Sequence, residues 1–147
     1  MPERAGGALL GIDFGQRTVG VALAHPMTGS ARPLSPIRHR DRDTLLAQLG
    51  AVIRQWRPKC LIIGLPLAGD GGETEMSRQV RRLARDCGDR FPDLRVCLHD
   101  ERLTSQAAAA QHASRRQAGR ARRRDAVRLD SVAAALILES WMAEAHD

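Results

Sequence analysis

The chain of 147 residues is poor in aromatic rings: two Trp, two Phe and no Tyr. Proteins that hold single strands without regard to sequence stack bases on rows of such rings, so a stacking platform is excluded. Lysine is nearly absent too, Lys59 being the one Lys among 23 basic residues. Cysteine is limited to Cys60, Cys87 and Cys97, each inside an apolar stretch and without metal-ligand spacing. Reduced core thiols are expected, not a disulfide framework or a zinc centre. No apolar run approaches the length that spans a bilayer, and the opening Met-Pro-Glu-Arg-Ala-Gly-Gly has no signal-peptide apolar region. A cytoplasmic protein with no membrane partner is therefore expected. The five His are scattered, and no Ser or Cys occupies a nucleophile elbow with a base at hand. Gly69-Asp70-Gly71-Gly72 precedes a helix but lacks the Gly-Lys-Ser/Thr of a P-loop, so it reads first as a plain loop.

What is present is arginine, and its distribution matters more than the net charge of +6. The window Arg115-Arg116-Gln117-Ala118-Gly119-Arg120-Ala121-Arg122-Arg123-Arg124 holds six Arg and no acid, and outside it 17 basic residues balance 17 acidic ones. A charge excess gathered in one place is the footprint of a polyanion partner. The stretch 114–125 is too charged to pack and is expected to be a mobile loop. The length suits one domain, 1–147, with a sizeable core.

Hydrophobic patterning places strands near 8–13, 18–24 and 33–39. A helix follows over 41–56, with Leu45, Leu46, Leu49, Val52, Ile53 and Trp56 at helical spacing and Pro58 just past its end. Cys60-Leu61-Ile62-Ile63-Gly64 is an unbroken apolar run, as in a strand covered on both faces. A second helix opens at Glu73 and closes at Pro92, a strand returns over 94–99, an Ala-rich helix is expected at 105–113, and a last helix over 125–145. Three antiparallel strands followed by helix–strand alternation imply a five-stranded mixed sheet with helices on both faces, an α/β fold.

Three carboxylates occupy special addresses. Asp13 ends the first strand in Leu10-Gly11-Ile12-Asp13-Phe14-Gly15, Glu101 (with Asp100 beside it) ends the last strand, and Asp130 sits one turn into the final helix. Each alone admits an ordinary reading: a turn residue, a surface partner of Arg102, a helix-start residue. If the first and last strands run parallel, their carboxyl ends share the sheet edge where ligands of open α/β sheets bind. Converging carboxylates cannot all stay ionised without a cation, and all-oxygen ligation selects Mg²⁺ or Mn²⁺. Such a centre suits phosphodiester hydrolysis, and the basic window supplies attraction for a phosphate backbone.

Four segments carry a resemblance: Gly11-Ile12-Asp13-Phe14-Gly15 with Val19-Gly20-Val21-Ala22; Ile63-Gly64-Leu65-Pro66-Leu67; Asp100-Glu101-Arg102-Leu103-Thr104; and Leu129-Asp130-Ser131-Val132-Ala133-Ala134. In this order they make the chain similar to the YqgF family of Holliday-junction-resolvase-like proteins and pre-16S rRNA nucleases. The resemblance implies an RNase H-like fold, a role in 5′-end processing of pre-16S rRNA, and metal ligation by Asp13, Glu101 and Asp130. Ser131 stands where many relatives carry a basic residue, and Ala24-His25 where relatives often place Ser-Asp. Arg17 or Arg102 then substitutes as the cation at the scissile phosphate. With Arg115, Arg116, Arg120, Arg122, Arg123 and Arg124 they form the expected nucleic-acid-binding set, for structured RNA or for branched DNA, by a monomer or homodimer. Two other readings stand beside the RNA nuclease: a Holliday-junction resolvase, and a non-catalytic nucleic-acid-binding factor.

Overall fold

The computed structural model describes residues 7–104 and 129–144. The helix expected at 105–113, the loop at 114–125 and its six arginines lie outside the described residues. Chain order is β1 (Leu9–Asp13), β2 (Thr18–Ala24), β3 (Ala31–Pro33), β4 (Ile37–Arg38), α1 (Arg42–Trp56), β5 (Cys60–Leu65), α2 (Glu75–Arg90) and β6 (Arg95–Asp100). Short 3₁₀ turns follow at Glu101–Leu103 and Leu129–Ser131, and α3 (Val132–Ala143) comes last.

The sheet runs β3-β2-β1-β5-β6, with β4 also paired to β2. Strands β1 and β2 are antiparallel, while β1, β5 and β6 are parallel, as the α/β reading required. Among the described residues the sheet has six strands rather than five. The strand expected over 33–39 breaks into β3 and β4 across Leu34-Ser35-Pro36, because Pro36 has no N–H to give to a ladder. The final helix is also shorter at its start than expected. Its described part begins at Val132, and Asp130 lies in the preceding 3₁₀ turn rather than one turn inside the helix.

Strand alternation divides the core into two layers. Leu10, Ile12, Val21, Leu23, Leu61 and Ile63 pack with Leu45, Leu49, Val80 and Leu83 of α1 and α2. Leu9, Ala22, Ala24, Cys60 and Ile62 pack on the other face with Ala134, Ala135, Ile137 and Leu138 of α3. Each fully buried Leu or Ile contributes roughly 1.5–3 kcal/mol, so the sheet is fixed from both sides. Cap chemistry sets the helix starts: the Asp41 side chain accepts from the Thr44 N–H for α1, and Thr74 and Ser77 form a reciprocal capping box for α2. Cys60 and Cys87 are buried and all three thiols are free, matching the core role expected of them.

Candidate active site

Side chains alternate along a strand, so Asp13 shares the face of Leu9 and Gly11, the face covered by α3. Glycines keep that face low where the acids meet. At Gly11 an added Cβ would lie 2.5 Å from Leu138 Cγ and 3.0 Å from the Ala134 carbonyl oxygen. Gly20, the ladder partner of Asp13, has the Asp130 carbonyl so close above it that a Cβ would overlap that oxygen. On the other side, Gly64 follows Ile63, the partner of Ile12, and a Cβ there would stand 2.7 Å from Glu101 Oε2. Missing side chains on both flanks of Asp13 thus admit Asp130 from β2's side and Glu101 from β5's side. A glycine inside a strand is the sequence signal for such close approach. Gly20 and Gly64 lie in the quoted motifs, but nothing in the sequence shows what passes over them.

The carboxyl groups of Asp13 and Glu101 act directly on each other, an arrangement that favours one proton held between them. Burial lifts Asp13 to about 6, offset in part by the Glu101 carboxyl and reinforced by the charge of Asp130. Burial, then the Asp13 charge, lifts Glu101 to about 7. Both carboxyls are raised, so the proton belongs to the pair. Asp130 is exposed and acts on Asp13 through its charge. Among the described residues no three His, Cys, Asp or Glu side chains close around one point. The structure brings two of the three acids into contact and sets the third within electrostatic range.

Asp100 has a different task from its neighbour. Its carboxylate accepts from the Arg102 backbone N–H (2.9 Å), from Nε (3.0 and 3.1 Å) and from one terminal guanidinium nitrogen (2.7 Å), and the guanidinium holds it below the usual carboxylate range. The other terminal nitrogen of Arg102 donates to the Gly69 carbonyl (3.3 Å). Arg102 thus braces the 68–72 loop against the end of β6. The loop closes on itself, with Gly71 N–H donating to Ala68 O and Gly72 N–H to Asp70 Oδ1, both 2.8 Å. Arg17 is exposed on the β1–β2 turn.

Two polar contacts missed in the sequence hold the acids' elements in register. Ser131 is fully buried and its Oγ accepts from the Val21 N–H at 2.9 Å, in the gap between β3 and β4 along β2. His99, buried two residues before Glu101, meets Ser140 of α3 at 2.9 Å. Thr104 Oγ1 is buried without a hydrogen-bond partner among the described residues.

A protein-family model described as RuvX, Holliday junction resolvase, matches residues 7–144. A Pseudomonas aeruginosa protein bearing the name "Putative pre-16S rRNA nuclease" is 39% identical over 139 residues, covering 95% of this chain and 94% of its own. An Azotobacter vinelandii protein of the same name is 40% identical over 136 residues, covering 92% and 93%. Among solved structures, Thermus thermophilus RuvC in complex with Holliday junction substrate superposes with a TM-score of 0.58 at 18% identity, covering 89% of this chain and 91% of that one. At that identity the likeness speaks to fold alone, and the fold is RNase H-like.

Proposed function

Because the chain belongs to the RuvX family, we propose that it is a nuclease hydrolysing phosphodiester bonds in the 5′-end maturation of pre-16S rRNA. The observation that carries the proposal is the Asp13–Glu101 carboxyl pair with Asp130 beside it, at the carboxyl ends of parallel strands where such folds place their chemistry. The names of the relatives supply the substrate class.

The donor set fits a hard divalent ion. It offers carboxylate oxygens, and the two paired acids already repel one another enough to share a proton. Asp13, Glu101 and Asp130 are the residues that would hold Mg²⁺ or Mn²⁺. When bound, the ion supplies positive charge for activating water and stabilising the leaving oxygen. The chain's own residues do the rest. The Asp13–Glu101 pair gives up its proton to free both carboxylates for ligation. Gly20 and Gly64 keep bulk out of the space between the acids. Asp100 holds Arg102 onto the Gly69 loop.

The test is cleavage of a precursor 16S rRNA fragment and a four-way DNA junction side by side, with and without Mn²⁺. Metal-dependent cleavage of the RNA, lost in Asp13→Asn with binding retained, is expected. Resolution of the junction alone assigns the chain to branched DNA. Binding without any cleavage makes it a non-catalytic factor.

A further inference from the structure

The turn after Asp13 and the segment after β4 enclose an open groove of ≈ 580 Å³ lined by Gln16, Arg17, Thr18, Arg38, His39 and Arg40. We propose that this groove binds the sugar–phosphate backbone of the RNA strand leading to the Asp13–Glu101 pair, a contact distinct from the Arg115–Arg124 window. The identity of the polymer rests on the nuclease reading; the groove's preference for a polyanion does not.

Charge is the first support. Arg17, Arg38 and Arg40 are all exposed, and none forms an ion pair with a carboxylate among the described residues, whereas Arg42, two positions on, is neutralised by Asp86. The nearest acid in the chain, Asp41, is turned to the N-terminus of α1, where it accepts from the Thr44 N–H. Three arginines lining one groove, none of them ion-paired among the described residues, raise the local potential and draw phosphate.

Rigidity is the second. The His39 N–H donates to the Arg17 carbonyl (3.0 Å), and His39 Nε2 lies 3.0 Å from the Gly15 carbonyl oxygen. Its ring rests on Phe14, centroids 5.7 Å apart. Thr18 pairs with Arg38 in the β2–β4 ladder, and Gln48 Nε2 donates to the Arg38 carbonyl at 2.9 Å. The backbones carrying the arginines are therefore tied to the turn that begins at Asp13, so a strand held in the groove is registered against the acid pair. Openness and chemistry set the ligand class. The lining has guanidinium forks, and its one ring, the His39 imidazole, is already engaged by Phe14 and the Gly15 carbonyl, which suits a phosphodiester backbone more than base readout.

The experiment measures the affinity of a labelled RNA stem-loop with a single-stranded flank across a salt series. In Arg38→Ala/Arg40→Ala, affinity at low salt should fall about tenfold and the slope of log K against log salt should flatten by about 1.5, near 0.7–0.9 per lost phosphate contact. Arg38→Lys/Arg40→Lys should keep the slope. Arg85→Ala/Arg90→Ala, which removes the same charge from the exposed surface of α2, should leave it unchanged. A wild-type slope in the groove variant overturns the proposal, as does an equal loss in the α2 variant. Thermal melts verify folding, and Arg40→Ala alone, with about half the slope change, serves if the double variant melts early. A wild-type protein that binds but never cleaves defeats the nuclease reading while the slope still decides the groove.

Discussion

At Asp13 and Glu101 two half-buried carboxyl groups favour keeping a proton between them, and that makes stability depend on pH. Both acids titrate higher in the folded chain, about 6 and about 7, than their ordinary 3.8 and 4.5. The folded state therefore binds more protons than the unfolded one between these values. Stability from the pair is fully present below about pH 4 and is lost as pH rises through 6 to 7. For Asp13 the effect is on the order of 2 kcal/mol after allowance for solvent screening. In metal-free buffer, thermal melts of Asp13→Asn should exceed wild type at pH 8 and converge with it at pH 4.5. Added Mg²⁺ should raise the wild-type melting temperature at pH 8 and leave Asp13→Asn nearly unmoved. A wild-type melting temperature that climbs between pH 5 and 8 without metal contradicts the shared proton.

Elements meet at this site because small residues let α3 lie against the sheet. Gly20→Ala and Gly64→Ala each force a methyl group into the Asp130 backbone or the Ile137 and Glu101 side chains. Each should cost about 2–3 kcal/mol in urea unfolding and lower activity by displacing an acid. Gly29→Ala is not a fair control because its φ of +68° is strained for any side chain. Gly69, with open space around it, is, and Gly69→Ala should change stability by less than about 0.5 kcal/mol. Ser131 couples the start of α3 to β2 through one buried hydrogen bond. Ser131→Ala leaves the Val21 N–H buried and unpaired and should cost about 1–3 kcal/mol, while Ser131→Thr keeps the acceptor. Equal stability of the Ala variant and wild type would show that another group takes the N–H.

Over the whole molecule, two sets of arginines stand out: Arg17, Arg38 and Arg40 line one groove, and the six arginines of 115–124 sit in a single run of sequence. Replacing Arg122, Arg123 and Arg124 by Ala should weaken RNA binding and flatten its salt dependence by about 2, with no change in melting temperature. An unchanged slope makes that run a solvated segment. If both basic regions engage one RNA at independent phosphates, combining these changes with Arg38→Ala/Arg40→Ala should add on the log scale.

The sequence by itself determined the order and kind of the described elements, because apolar spacing, caps and Pro58 and Pro92 act locally. It also singled out Asp13, Glu101 and Asp130, since an acid at the end of an apolar run is conspicuous. It overstated the third strand, where Pro36 divides the ladder, and it spread the start of the last helix over Asp130. Only the tertiary structure decided which acids touch. Gly20 and Gly64 read as ordinary strand glycines until a helix end and a glutamate are seen above them. Asp100 and Glu101, adjacent in sequence, part company because one meets Arg102 and the other Asp13. The balance of 17 basic against 17 acidic residues outside the Arg window hid a second basic surface. The ladder sets Thr18 against Arg38 and the His39 N–H reaches the Arg17 carbonyl, so Arg17 and Arg38 line one groove, and composition carries no information about which distant residues a ladder will join.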